Sequence, residues 1–448
     1  MGMAIKNLFK YLNTNCSIAT LVVFRIAFGA LMFFSTCRFI LKGWVHSMYI
    51  LPKMHFPYYG FEWVKALPPT GMYIVFSLLL ISSLGILFGA FYRISSILFF
   101  LLFTYVELID KTNYLNHYYF VSLVSFMLIF IPAAKSFSLD NKIFKRSETI
   151  EIPKFYIFIL QFQLFLVYFF AGIAKINYDW LMEAQPLKIW LPAFSHYAVI
   201  GDFMEKEWVA YLFCWFGCSY DLVIGFLLFN KRTVNIAYVF VLVFHLATAL
   251  FFNIGMFPYV MITITIIFFK EDLHLKIVNY LKKLFVYKVV SGSTFTINQF
   301  SKGLTIVFSL YFIIQITLPF RYLLYNGKLF WTEQGYRFSW RVMLVEKAGT
   351  AFFYVEDKET KQITEVDNKE YLTYMQEKMM ATQPDMMVDY AKFLKQEFIE
   401  KGYSDPSIRA QSFVTLNGSG SQEFIDPTVD LSAESNCFLK NKEWVRSY

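Results

Sequence analysis

The sequence predicts an all-α polytopic membrane domain of about nine transmembrane helices, followed by a small α+β exoplasmic C-terminal domain. Three observations predict it. First, the 448 residues are 57% hydrophobic and 21% aromatic, with 53 Phe and 30 Tyr, at a mean hydropathy of +0.46. That is far from a soluble composition and suits a multispan protein with aromatic belts. Second, apolar runs recur along the first 320 residues. Third, the chain then turns polar, so the boundaries are drawn at 1–320 and 321–448.

Residues 1–17 form a short amphipathic lead-in, with Ile5, Leu8, Phe9 and Leu12 set against Lys6 and Lys10. No cleavage pattern follows, so the first span is expected to stay as an anchor. Apolar runs follow at 18–40, 71–90, 94–109, 118–133, 154–174, 208–229, 233–252, 256–269 and 303–320. Each approaches the ~17–25 residues that cross a ~30 Å hydrocarbon core, the third, fourth and eighth being short.

Basic residues in the loops set the orientation. With the N-terminus inside, the cytoplasmic loops carry Arg93, then Lys135, Lys142, Lys145, Arg146 and Lys154, then Lys231 and Arg232. The next carries Lys270, Lys276, Lys282, Lys283 and Lys288. The opposite loops are poorer, apart from 41–70 with Lys42, Lys53 and Lys65. The bias predicts N-inside and C-outside, and the net charge of +8 reads as topology rather than nucleic-acid affinity. The 110–117 turn, the exit after Lys175, the Asn253–Gly255 turn and the tail then share the outer face. A reaction chamber open to the exoplasmic side follows from that placement.

In the tail, residues 338–356 alternate around Lys347-Ala348-Gly349-Thr350 and predict a hairpin. Residues 368–381 and 385–401 have helical periodicity, with Pro384-Asp385 as a helix start. A last strand pair flanks Asn417-Gly418-Ser419-Gly420, where a tight turn explains the residues better than the glycosylation sequon they also match.

The stretch Phe162–Trp180 begins as a lipid-compatible helix and places Lys175 just before a polar, aromatic exit, Asn177-Tyr178-Asp179-Trp180. An ammonium so near hydrocarbon costs roughly 3 kcal/mol on insertion scales. Burial disfavours the charged form, which makes a lysine a usable base near neutral pH. A snorkelling lysine at a helix end is the plain alternative.

Other ionisable groups in the spans are Arg25, Glu107, Asp110, Asp221 and His245, and such groups face a protein interior, pair, or line a polar site. Arg25 and Asp221 read either as a buried ion pair tying helices together or as binding residues. His245 alone would be a satisfied interior histidine, whereas His117 closes a dense polar cluster from Asp110 to Asn116. His117, His245 and Asp110 lack metal-site spacing, so no metal is expected. The cysteines Cys16, Cys37, Cys214, Cys218 and Cys437 lie too far apart for a metal knuckle, and Cys214 and Cys218, on one helix face in an apolar run, read as packing. No phosphate loop or nucleophile elbow appears.

Ordered blocks carry a resemblance. They are Tyr92-Arg93-Ile94-Ser95; Leu108 to Thr112 with Asn116-His117; and Val167-Tyr168-Phe169-Phe170-Ala171-Gly172 with Lys175 and Asp179-Trp180. Asp221-Leu222, Gly225 to Leu228, Phe244-His245, Ile254 to Phe257 and Tyr259-Val260-Met261 follow, then Trp331-Thr332, Tyr336 and Ser339-Trp340. The chain resembles the vitamin K-dependent γ-glutamyl carboxylase family in its compact bacterial form, with an HTTM-like membrane domain.

The resemblance implies an enzyme that uses vitamin K hydroquinone, O2 and CO2, and no metal, to convert glutamate side chains of proteins to γ-carboxyglutamate. The quinol is deprotonated and oxygenated to a strongly basic alkoxide, which removes a γ-proton before CO2 is captured, and the quinone leaves as its epoxide. By the same resemblance Lys175 is the base toward the quinol, and His117, Asn116 and His245 serve the chemistry around it. Tyr336, Trp340, Met343 and Trp180 would hold substrate and quinone. Arg25, Asp110, Asp179 and Asp221 would be structural or supporting polar groups. Implied partners are the bilayer, a glutamate-containing protein and a quinone-reducing enzyme, with no nucleic acid.

Three departures stand out. Ala174 occupies a position that is often a second lysine in the animal enzymes, the 42–70 loop has no cysteine for a disulfide tether, and the tail is much shorter. Two alternatives remain beside carboxylation: a quinol epoxidase or oxidase without carboxylation, and a non-enzymatic scaffold or transporter. A transporter would be expected to show inverted repeats, and none is convincing here.

Overall fold

The computed structural model describes residues 2–252, 254–287, 294–297, 299–438 and 440–448. Asn253 and Lys288, used above for a turn and a basic loop, lie outside them. Among the described residues seven helices are long and apolar enough to cross a membrane: Ala19–Leu41, Pro69–Phe88, Tyr92–Ile109, Phe155–Lys175, Glu207–Phe229, Val234–Phe251 and Lys302–Leu324. At 18–23 residues they measure roughly 27–35 Å. The fourth and eighth expected runs form the shorter apolar helices Asn116–Phe130 and Phe257–Phe268. Phe120, Val121, Val124, Met127 and Leu128 of the fourth are buried in the bundle, so it is wrapped largely by protein.

The helices pack in two sets. Ala19–Leu41 lies against Pro69–Phe88, which continues onto Tyr92–Ile109 and Asn116–Phe130, while Phe155–Lys175 lies along Glu207–Phe229. The second contact depends on Gly172. A Cβ there would stand 2.8 Å from the backbone nitrogen of Leu222 and 2.8 Å from its Cγ, so the two backbones approach because no side chain intervenes.

Arg25 does not pair with Asp221. Its Nη1 donates to the carbonyls of Ile86 (3.0 Å) and Leu87 (2.7 Å), and its Nη2 to that of Phe137 (2.7 Å). It thus satisfies the carbonyls that end the Pro69–Phe88 helix, the usual place for a cation on a helix. The bundle also carries a small sheet that the sequence did not announce. Asn15–Ser17 pairs antiparallel with Glu148–Pro153, which pairs parallel with Thr294–Thr296. Strands of three residues are too short to show a period.

The C-terminal region is α+β. Its antiparallel sheet runs in the order Ile363–Val366, Lys347–Glu356, Ser407–Leu416, Gln422–Glu423, covered by the helix Pro384–Glu400 through Met387, Tyr390, Ala391 and Leu394. The expected hairpin over 338–356 is absent. Lys347–Glu356 is one continuous strand paired along its length with Ser407–Leu416. Gly349 serves close approach rather than a turn, since a Cβ there would meet Val414 Cγ2 at 2.7 Å and the Phe413 carbonyl oxygen at 2.8 Å. The helix expected over 368–381 is Tyr374–Met380, restarted by Thr373, whose side chain and that of Gln376 form a capping box. The turn at Asn417-Gly418 does join two strands, both residues having positive φ.

This region docks on one end of the bundle through ions. Lys111 pairs with Asp385 at 2.9 Å and Asp389 at 2.5 Å. Asp110 accepts from Gln376 Nε2 (3.0 Å) and contacts His55 Nδ1 (3.2 Å). Asp179 pairs with Lys328 at 3.1 Å and accepts from Asn417 Nδ2 at 3.0 Å. Asp110 and Asp179 are therefore docking residues. Burial alone would raise the Asp385 carboxyl, but the Arg337 and Lys111 charges hold it well below the usual range.

Two expectations follow. Gly172→Ala should lower stability by about 1–3 kcal/mol by forcing the two helices apart, read as a drop in the thermal midpoint. Burial lowers the Lys442 ammonium to about 8, against ~10.4 unfolded. A lysine lowered in the folded state holds fewer protons than in the unfolded chain between those values, so stability should rise from about pH 8 to about pH 10. Thermal midpoints of wild type and Lys442→Met should then differ less at pH 10 than at pH 7.

Candidate functional site

Lys175 ends its helix because Asn177 interrupts it. The Asn177 Nδ2 donates to the Ala174 carbonyl (2.9 Å), closing one helix, and its Oδ1 accepts from the Trp180 backbone nitrogen (2.9 Å), opening the next. The chain folds back, and the Trp180 ring lies 5.5 Å from Lys175 Nζ. Trp180 is fixed in turn by donating its indole N–H to the Cys214 carbonyl at 2.8 Å.

Lys175 does not snorkel. Its Nζ lies 2.6 Å from Asp221 Oδ2, with side-chain exposures of 8% and 6%, and 3.4 Å from the Ala171 carbonyl oxygen. Asp221 is thus in a buried ion pair, as one reading held, but with Lys175. The spacing 168, 171, 175 on one helix and 213, 217, 221 on the other turns one face of each toward the same space. That space is a cleft lined by Lys175, Asp221, His245, Trp180, Phe257 and Met343 among others. Its remaining lining is chiefly aromatic and aliphatic, including Trp190, Phe213, Phe244 and Phe252.

His245 lies on the cleft, its Nε2 3.0 Å from the Tyr168 hydroxyl and its Nδ1 buried without a partner. His117 is one ring removed. Phe257 stands between the imidazoles, its centroid 5.9 Å from His117 and 5.5 Å from His245. Nε2 of His117 is also buried without a partner.

The segment after the last span closes the cleft with Val342 and Met343. Phe338, Trp340 and Met343 have φ of 61°, 60° and 54°, a left-handed conformation costly for such residues and found where surroundings impose it. Here Tyr114 accepts from the Phe338 nitrogen (2.7 Å), Asn116 donates to the Arg341 carbonyl (2.8 Å), and Trp340 stacks on Tyr119 at 5.1 Å. Asn116 and Trp340 therefore support Met343 rather than face the cleft. Tyr336 packs on Phe330 at 6.3 Å and is not among the lining residues. Among the described residues no group of three or more His, Cys, Asp or Glu could hold a metal ion.

Sequence reasoning picked out Lys175, His245, Trp180 and Met343, all on the cleft, but missed Tyr168 and Phe257. Tyr168 lies seven residues before Lys175, two helical turns along the same face, which could have marked it. No sequence signal placed Phe257 between two histidines.

The chain matches the HTTM domain family over residues 13–273. It matches the lumenal domain of vitamin K-dependent gamma-carboxylase over residues 300–448. No solved structure matches it. With the first match spanning more than half the chain and the second following it, the chain belongs to the vitamin K-dependent γ-glutamyl carboxylase family and is an integral membrane protein.

Proposed function

We propose that the chain is a vitamin K-dependent γ-glutamyl carboxylase whose quinol site is the Lys175 cleft. The observation that carries this is a buried amine, paired with a carboxylate, in a cleft otherwise made mostly of rings and aliphatic chains. The residues fit a reduced naphthoquinone. The rings of Trp180, Phe244 and Phe257 offer flat apolar faces, and the unpartnered Nδ1 of His245 is a polar atom left for a quinol oxygen. When bound, the quinol supplies with O2 the oxidative energy for a base strong enough to take a glutamate γ-proton, beyond the reach of His, Glu or Lys.

The residues have the narrower task. Lys175 takes the proton of a quinol hydroxyl. His245, held through Tyr168, orients the other polar edge, and the aromatic lining with Met343 excludes water. Asn116, Trp340 and Tyr336 shape the segment that carries Met343, and His117 backs the Phe257 ring. CO2 and a glutamate-bearing polypeptide reach the cleft from the exoplasmic face, with the N-terminus cytoplasmic. A separate quinone-reducing enzyme returns the cofactor to its reduced form.

Purified protein given vitamin K hydroquinone and labelled bicarbonate should form the epoxide and fix label into a Glu-containing peptide. Epoxide without fixed label marks quinol oxidation alone; neither product from folded protein sinks the enzyme reading. Lys175→Ala should lose both activities by on the order of 10²-fold or more, and Lys175→Gln, which keeps a hydrogen-bond donor toward Asp221, should do the same. Retained epoxidation in both would assign the proton to another group.

A further inference from the structure

We infer that Asp221 stores the proton that Lys175 takes from the quinol, so that the two side chains act as one proton-accepting unit. This rests on the reading of Lys175 given above. An ammonium has no lone pair and cannot be a base. Nζ of Lys175 lies 2.6 Å from a carboxylate oxygen, and both side chains are buried. An opposite charge at that distance favours the ammonium, whereas burial penalises each charge standing alone. The pair is therefore neutral overall and holds one proton between amine and carboxyl.

Its surroundings supply no substitute. The titratable side chains nearest the pair are Cys214, Cys218 and Tyr220 on the Asp221 helix, Tyr168 on the Lys175 helix and His245 across the cleft. Among the described residues lining the cleft there is no second carboxylate and no second cation. Ala174 precedes Lys175, so no adjacent lysine is present to drive the amine neutral by like-charge repulsion.

The proton count then fixes the end state. The O–H bond of the quinol hydroxyl breaks, and its oxygen keeps the electron pair. An N–H bond forms on Nζ, while the N–H facing Asp221 breaks and an O–H bond forms on Oδ2. The transfer ends with an ammonium and a neutral carboxylic acid. The site is electrically neutral before and after, with the ammonium against the negative oxygen, as a low-dielectric cleft requires. Asp221 acts through Lys175 and is a positioning residue in that sense.

The test uses the full chain in lipid nanodiscs, given vitamin K hydroquinone without O2 and followed by infrared difference spectroscopy. Wild type should gain the C=O band of a protonated carboxyl, shifted in D2O and missing from Asp221→Asn. With O2 admitted, Asp221→Asn should lower kcat for epoxide formation on the order of 10²-fold with KM little changed. Wild type that binds hydroquinone without gaining the band overturns the inference, and so does a band that persists in Asp221→Asn. These outcomes leave the Lys175 reading standing if Lys175→Gln is inactive. Epoxidation by Lys175→Gln sinks that reading instead.

Discussion

Everything near the cleft depends on holding an ammonium and a carboxylate 2.6 Å apart inside an apolar bundle. Removing either ion from water costs several kcal/mol, which the mutual attraction offsets only when geometry is tight. The geometry here comes from neighbours with no charge. Gly172 lets the two helices approach, Asn177 ends one helix right after Lys175, and Trp180 covers the amine while tied to Cys214.

Much of this was legible in the sequence. Apolar runs of the right length are a strong signal because lipid leaves the backbone few alternatives to a helix, and all nine runs became helices. Lys175 was legible because a lysine in hydrocarbon needs a reason. Its partner was not, since Asp221 lies 46 residues along the chain and pairing across helices leaves no periodic trace. Arg25 misled for a related reason: a buried cation can be satisfied by carbonyls that any sequence provides. The missing hairpin shows how Ala-Gly can mark close strand packing as well as a turn.

The polar cluster around Asp110 and His117 divides by role. Asp110 and Lys111 hold the C-terminal region, while Asn116 steadies the segment leading to Met343. Density of hydrogen-bonding groups was a sound sign of importance there. It did not distinguish a junction between two parts of the chain from a place where a ligand sits.

Met343 and Val342 belong to a stretch that follows the last membrane helix, yet they line the cleft beside Lys175. This gives synthesis an order. As the chain emerges from the ribosome and inserts, the lysine and its carboxylate are in place before the stretch that shuts them away from water has been made. The lining is complete only once Val342 and Met343 have been added behind that helix. The chamber matures last, so an unfinished chain carries the reactive pair without the enclosure that would let it work.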